Sequence, residues 1–131
     1  MSVSYVITQS VREGNNTVSY AVTKTADGQA SYSGSVVTAT TNQEVSMAFT
    51  TTNVVAIYLY SSTDLTVKSN SSGSPDDTIT LDGGVPLVWI KDSGITCPFA
   101  GSSGAITKLY ITNASGSTAT VEFRVLKDVT P

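Results

Sequence analysis

Apolar and polar positions alternate along most of this chain. Val3, Tyr5, Ile7 and Gln9 fall on one side of an extended segment, with Ser4, Val6 and Thr8 on the other. That period of two marks a strand. REGNN at 12–16 reads as a turn, and a second strand covers 17–25 with Val18, Tyr20 and Val22 on one face. The two strands share a frame, since VSYVITQS at 3–10 matches VSYAVTKT at 18–25. The period does not continue, so these are two strands of one type and not a solenoid. Asp27-Gly28 is a hairpin signal, because both residues tolerate positive φ. A looser third strand spans 30–40; TTNQ at 40–43 breaks it. A fourth covers 44–51, with Val45, Met47 and Phe49 alternating.

The most hydrophobic run, NVVAIYLY at 53–60, predicts a central strand, and a short one follows around Leu65 and Val67. SNSSGSPDD at 69–77 is a polar loop, after which a strand covers 78–81. Pro86 opens VPLVWI and places that strand at a sheet edge. A long loop at 91–104 carries Cys97-Pro98-Phe99. The final strands, 105–112 and 119–126, are joined by NASGS at 113–117. Short strands with turn signals about every 8–12 residues predict a sandwich or barrel and not a parallel sheet. The expectation is an all-β chain: one antiparallel β-sandwich domain over 1–131, jelly-roll-like, with about nine short strands and no substantial helix. Residues 1–11 are expected to form an N-terminal arm or an edge strand.

Composition agrees and narrows the chemistry. Among 131 residues, 39 are Ser or Thr and 16 are Val, types that fit a pleated surface better than a helix. The chain has no His and one Cys. His-based triads and His-containing zinc sites therefore lack their parts, and no internal disulfide can form. A net charge of −3 and a pI near 4.6 speak against nucleic-acid binding, which needs concentrated Lys and Arg. No stretch approaches the ~18 apolar residues of a membrane span. MSVSYVITQSVRE lacks the basic start and apolar core of a secretion leader.

Several residues invite a chemical reading. Asp76, Asp77 and Asp82 could supply oxygens to a hard cation, but Pro75-Asp76-Asp77 is also ordinary turn chemistry. Tyr58 and Tyr60 should share a face, with Ile57 and Leu59 on the other. Together with Trp89 and Tyr110 they are the large aromatics of the second half, expected in the core or a subunit interface. A sugar-stacking platform, in a carbohydrate-binding or adhesion module, is the alternative. Cys97 has no base beside it in sequence and reads as a small buried hydrophobe. The Asn15, Asn70 and Asn113 glycosylation triplets are discounted, because a chain this rich in Ser and Thr produces them by chance. No nucleophile–base pair or facing carboxylate pair points to catalysis. No catalytic, cofactor-binding or metal-binding residue and no cofactor is expected.

From Leu65 onward the sequence resembles small β-sandwich structural proteins of tailed bacteriophages. The matching stretches are LTVKSNSSGSPDDTITL, then VPLVWIKDSG with its later PF, then ITKLYITNASGSTATVEFRVLKDVTP. They span about half the chain and are fold-like, not catalytic. The resemblance implies a non-enzymatic virion protein, a capsid cement or decoration subunit on the capsid surface. Its implied partners are the major capsid protein and further copies of itself, as a homotrimer, with neither nucleic acid nor membrane. A tail, neck or head-fibre component is the nearest alternative. The resemblance carries no site residues; the candidate interface read from the chain itself comprises Val3, Tyr5, Ile7, Tyr58, Tyr60, Trp89, Phe99 and Tyr110.

Overall fold

The computed structural model describes residues 2–101 and 104–128. Ser102 and Ser103 of the long loop, and the final three residues of RVLKDVTP, lie outside them. Ten strands form in chain order: β1 (Val3–Glu13), β2 (Asn16–Ala26), β3 (Gly28–Val36), β4 (Thr40–Thr50), β5 (Val54–Ser61), β6 (Leu65–Ser69), β7 (Thr78–Leu81), β8 (Leu87–Ile90), β9 (Ala105–Asn113) and β10 (Ala119–Lys127). The only helical element among the described residues is one 3-10 turn, Thr51–Asn53.

β3 to β10 make two four-stranded sheets, ordered β3-β10-β5-β8 and β4-β9-β6-β7. The pairings nest: β6 with β7, β5 with β8, β4 with β9 and β3 with β10, all antiparallel. One long hairpin rolled onto itself gives this pattern, which is the double Greek key of a jelly roll. The all-β sandwich read from the strand spacing is the fold observed.

Alternation decides which side chains the two sheets share. On β5, Ile57 and Leu59 are buried while Tyr58 and Tyr60 are half-exposed on the opposite face, as the period of two requires. β10 does the same with Val121, Phe123 and Val125 inside, and β9 with Leu109, Ile111 and Asn113; Ile106 is also buried, but three residues before Leu109, so the alternation slips once at Thr107 and Lys108. Two aromatic pairs stiffen the centre: Phe49 meets Phe99 edge-on at 5.2 Å, and Tyr32 meets Phe123 at 6.3 Å.

Two expectations about strand ends are corrected. TTNQ does not break the chain; it is the start of β4, where the register with β9 shifts between Thr40 and Gln43. Asn42 takes φ +52 there, and its amide N–H donates to Thr112 Oγ1 at 3.0 Å. A polar Asn that tolerates the left-handed region makes a bulge, which keeps the strand going past it. Asp27-Gly28 does not join a hairpin either. β2 pairs only with β1, and β3 pairs with β10, so Asp27 marks where the chain leaves an N-terminal ribbon and enters the sandwich.

Polar loops are tied down from within. Asn70, at φ +64, accepts from the Thr107 amide at 2.9 Å and donates to Ala105 O and Asp76 Oδ2. The 69–77 loop is thereby fastened to the start of β9. Among the described residues no buried side-chain nitrogen or oxygen lacks a hydrogen-bond partner.

Candidate interaction surface

β1 and β2 pair with each other over eleven residues without a register shift, from Val3↔Ala26 to Glu13↔Asn16. Gly14 and Asn15 are the two-residue turn, with Gly14 at φ +56. Gly at the first central position with positive φ is what a type II′ hairpin demands. The predicted turn at 12–16 is in place, and the expected arm proves to be a whole hairpin.

This ribbon is two-faced. One face carries Val3, Tyr5, Ile7, Gln9 and Val11, paired with Ala26, Lys24, Val22, Tyr20 and Val18. The other carries mainly Ser and Thr: Ser4, Thr8, Ser10, Thr17, Ser19, Thr23 and Thr25. The base of the apolar face lands on the outer side of the β5–β10 sheet. There Val3, Tyr5 and Ile7 pack on a small second core of Ala26, Val55, Ala56 and Leu126. A bulge opposite Leu126–Lys127 makes this landing possible. Leu126 pairs with Ala56 and Lys127 with Val54, so Val55 is the extra residue and β5 presents two consecutive side chains outward.

Past that base the ribbon covers nothing of its own. All fourteen residues from Thr8 to Ala21 are exposed, including Val11 at 72%, Val18 at 74% and Tyr20 at 58%. A cleft of about 770 Å³ separates this part from the body, with Val11, Val18 and Tyr20 on one wall and Pro86 and Val88 on the other. Nearer the base, a groove of about 470 Å³ is lined by Val3 through Ile7 in unbroken order, with Gln29, Tyr58 and Arg124 opposite. Successive strand residues point to opposite faces. A groove touched by all of them therefore borders β1's unpaired edge.

The residues expected at an interface are scattered by this geometry. Val3, Tyr5 and Ile7 are half-buried against the chain's own body. Tyr58 lines the groove beneath the ribbon, and Tyr60 lies on the same sheet face. Tyr110 belongs to the other sheet, where its hydroxyl donates to Glu44 Oε1 at 3.2 Å. Trp89 pairs with inward-facing Ile57 and packs on the main core, its indole N–H donating to Ile95 O at 2.7 Å. Phe99 is wholly buried, so it is corrected from surface to core. Its loop has no period from which a buried position could be read. With Trp89 inside and the tyrosines divided between two sheets, these residues do not assemble into one stacking platform. Val11, Val18, Tyr20, Pro86 and Val88 were missed. The signal lay in the repeat: two matched strands joined by a tight turn must share one apolar stripe along their whole length.

Two further candidates resolve into structure. Asp77 Oδ1 accepts from the Gly101 amide at 2.6 Å and Oδ2 from Ser69 Oγ at 3.0 Å, while Asp76 Oδ2 accepts from Asn70. Asp82 follows the far end of β7, so the three carboxylates do not converge. No group of three potential metal ligands occurs among the described residues. Cys97 is half-buried against the main core. Burial pushes its thiol pKa up; a backbone hydrogen bond at Phe99 opposes this and the nearby Asp77 charge adds to it. The thiol is therefore protonated at neutral pH, and alkylation by iodoacetamide should run well below the rate of a free cysteine; a rate equal to that of a model thiol would contradict this.

Tyr5 joins the ribbon to the body and carries a second pH prediction. Its hydroxyl donates to Gln29 Oε1 at 2.8 Å. Burial raises its pKa, with partial opposition from the Arg124 charge. The neutral phenol is the form that docks, so its contribution is intact below the ordinary tyrosine pKa of ~10 and is lost as pH rises toward the folded value. Hydrogen exchange, corrected for intrinsic rate, should show the ribbon base loosening above about pH 10; a Tyr5→Phe variant should not share the transition.

No protein-family model matches the chain, and no curated protein or solved structure does either.

Proposed function

We propose that this protein is a non-enzymatic structural subunit of a tailed-phage virion, a cement or decoration protein that binds the head shell as an oligomer. The observation that carries this reading is the N-terminal ribbon: one apolar face, half seated on its own sandwich and half reaching past it. Exposed apolar area organised on an ordered element is what an assembling subunit uses. Jelly rolls serve capsid proteins and lectins alike, so the fold by itself does not choose. The dispersal of Tyr58, Tyr60, Trp89 and Tyr110 weighs against a sugar platform. The shallow hollow of about 220 Å³ beside Asp64 contains a single ionisable side chain, too little for acid–base chemistry.

In this reading the major capsid protein and further copies of the chain are the partners, and the capsid surface is the working location. Immunogold labelling of virus particles from the producing host tests it. Gold spread over the heads is expected. Label confined to tails or necks would move the protein to the alternative virion role, and label on particles of no kind would reject the reading.

A further inference from the structure

We infer that the space between the ribbon and the body accepts one extended polypeptide segment of a partner subunit. The segment adds to the free edge of β1 as a third, antiparallel ribbon strand. Its side chains alternate between apolar and Ser or Thr, and a carboxylate stands at its C-terminal end. The inference deepens the proposed function and rests on it only for the source of the segment. Peptide binding and head labelling can each fail without the other.

A free edge selects nothing by itself, since β3 also borders its sheet with one. What singles out β1 is the space beside it. The groove of about 470 Å³ at the ribbon base and the cleft of about 770 Å³ at its far end are joined by a hollow of about 250 Å³. That hollow shares Tyr5 to Ile7 and Tyr58 with the groove, and Thr8, Pro86 and Val88 with the cleft. The three make one trench, which β1 lines from Val3 to Val11 with no residue missing. Its floor is a cross-strand row of the sandwich, where Arg124 pairs with Tyr58 and Tyr58 with Val88. β1 therefore runs across the strands of that sheet. Val3 to Val11 extends about 27 Å, while the three spacings from β3 to β8 cover about 15 Å. The trench outruns its floor and ends beneath the overhanging face of Val11, Val18 and Tyr20. So long and narrow a space fits an extended chain better than a compact small molecule.

The turn fixes which backbone groups look into the trench. A two-residue hairpin turn is flanked by a hydrogen-bonded pair, here Glu13 and Asn16. Every second residue back from Glu13 bonds to β2, and the ones between turn N–H and C=O outward. Ser4, Val6, Thr8 and Ser10 are therefore free on the trench side, and all four are exposed. An added strand meets them with a ladder of main-chain bonds, and the pockets beside it set its side chains. Directly opposite residues share a face. Positions level with Val3, Tyr5 and Ile7 turn to Tyr58, Val88 and Pro86 and call for apolar types, and those level with Ser4 and Thr8 face water. Charge sets the direction. Arg124, at the Val3 end, is the one charged side chain lining the trench. Its Nε and Nη2 both reach a single oxygen, Glu122 Oε1, which leaves guanidinium donors for a second carboxylate. An antiparallel segment brings its C-terminal end to that place.

Titration of the isotope-labelled full chain with a synthetic peptide, followed by amide hydrogen exchange, is the test. The probe has about nine residues, Thr alternating with Val or Tyr and Asp last. Micromolar binding is expected, with protection gained at the Ser4, Val6, Thr8 and Ser10 amides and none along the outer edges of β2 or β3. Thr8→Pro removes one outward N–H and spares the ladder to β2, since Pro is tolerated where an edge N–H points away from the sheet. Continued protection of the Ile7 and Gln9 amides shows its ribbon intact. It should weaken binding about tenfold, as losing a hydrogen bond or two does. Val88→Lys, which sets a second positive charge on the floor, should weaken it by a similar factor. No binding at about 1 mM peptide would overturn the inference. So would undiminished binding by either variant, equal binding of a peptide with the same residues but its apolar ones grouped, or protection on β2 or β3 instead. Edge amides of β1 that gain protection with protein concentration alone would give the trench to a second copy and overturn it as well.

Discussion

Phe99→Ala is expected to destabilise the sandwich by about 3–5 kcal/mol, the range for truncating a buried aromatic ring. Phe99 is fully buried and meets the Phe49 ring edge-on, although its neighbours in sequence form a Gly/Ser loop. Its ring anchors a segment that otherwise holds on by few contacts, among them Ala100 N–H to Cys97 O at 3.0 Å and Gly101 N–H to Asp77 Oδ1. Removing it leaves a cavity next to Phe49 and releases the loop together. Small domains have about 5–15 kcal/mol in all, so the variant should lose a large part of its margin. Urea denaturation followed through Trp89 measures the change. A loss below about 1 kcal/mol, the level of ordinary surface substitutions, would mean the ring does not hold the core.

Asn113→Ala should cost about 2–3 kcal/mol by a different mechanism. Asn113 ends β9 with no exposure at all. Its Nδ2 donates to Val36 O and Ser117 O, both at 2.9 Å, while Oδ1 accepts from the Ser115 amide and hydroxyl. One amide thus holds the β9–β10 turn in shape and fastens it to the end of β3. Alanine leaves the buried Val36 carbonyl without its partner and frees the more accessible Ser115 and Ser117 groups of the turn. Asn113→Asp should be worse at neutral pH, because it sets a charged acceptor against the Val36 and Ser117 carbonyls. Acidification that protonates the new carboxyl should recover part of the loss. Equal stability of the Asp and Asn forms at pH 7 would show that the side chain is hydrated.

Surface ion pairs are expected to matter far less. Lys108–Glu44 at 3.2 Å and Arg124–Glu122 at 2.9 Å are both solvent-accessible, and exposed pairs contribute about 0–1 kcal/mol.

Alternation made the sheets legible. A period of two is a property of the strand itself, so Val45, Met47 and Phe49, or Ile57 and Leu59, can be placed on a common face without knowing what covers them. It does not say which segments meet across the sandwich, and the bulges at Asn42 and Val55 are invisible to it. Phe99 shows a second limit: a lone apolar residue in an aperiodic loop carries no directional signal, and only the packed structure reveals that it is core. Trp89 shows a third. The sequence leaves it between core and subunit interface, and the pairing of Trp89 with Ile57 is what turns it inward.

The ribbon was half legible. Val3, Tyr5 and Ile7 were correctly set on one face and offered as an interface, yet that part of the stripe is spent on the chain's own Ala56 and Leu126. The part left over is Val11, Val18 and Tyr20. Sequence could locate the stripe through the repeat but not the point at which the body stops covering it, because that depends on how the Val55 bulge seats the hairpin on the sheet.

In the proposed function this molecule works by covering its ribbon with partner subunits on a head shell and transforms no substrate. A cryo-electron microscopy reconstruction of the virus particle tests that most directly. The expected map has jelly rolls on the outer head surface, with the exposed half of each ribbon covered by a neighbouring subunit. Heads bare of this chain, or arms standing free in solvent, would contradict it.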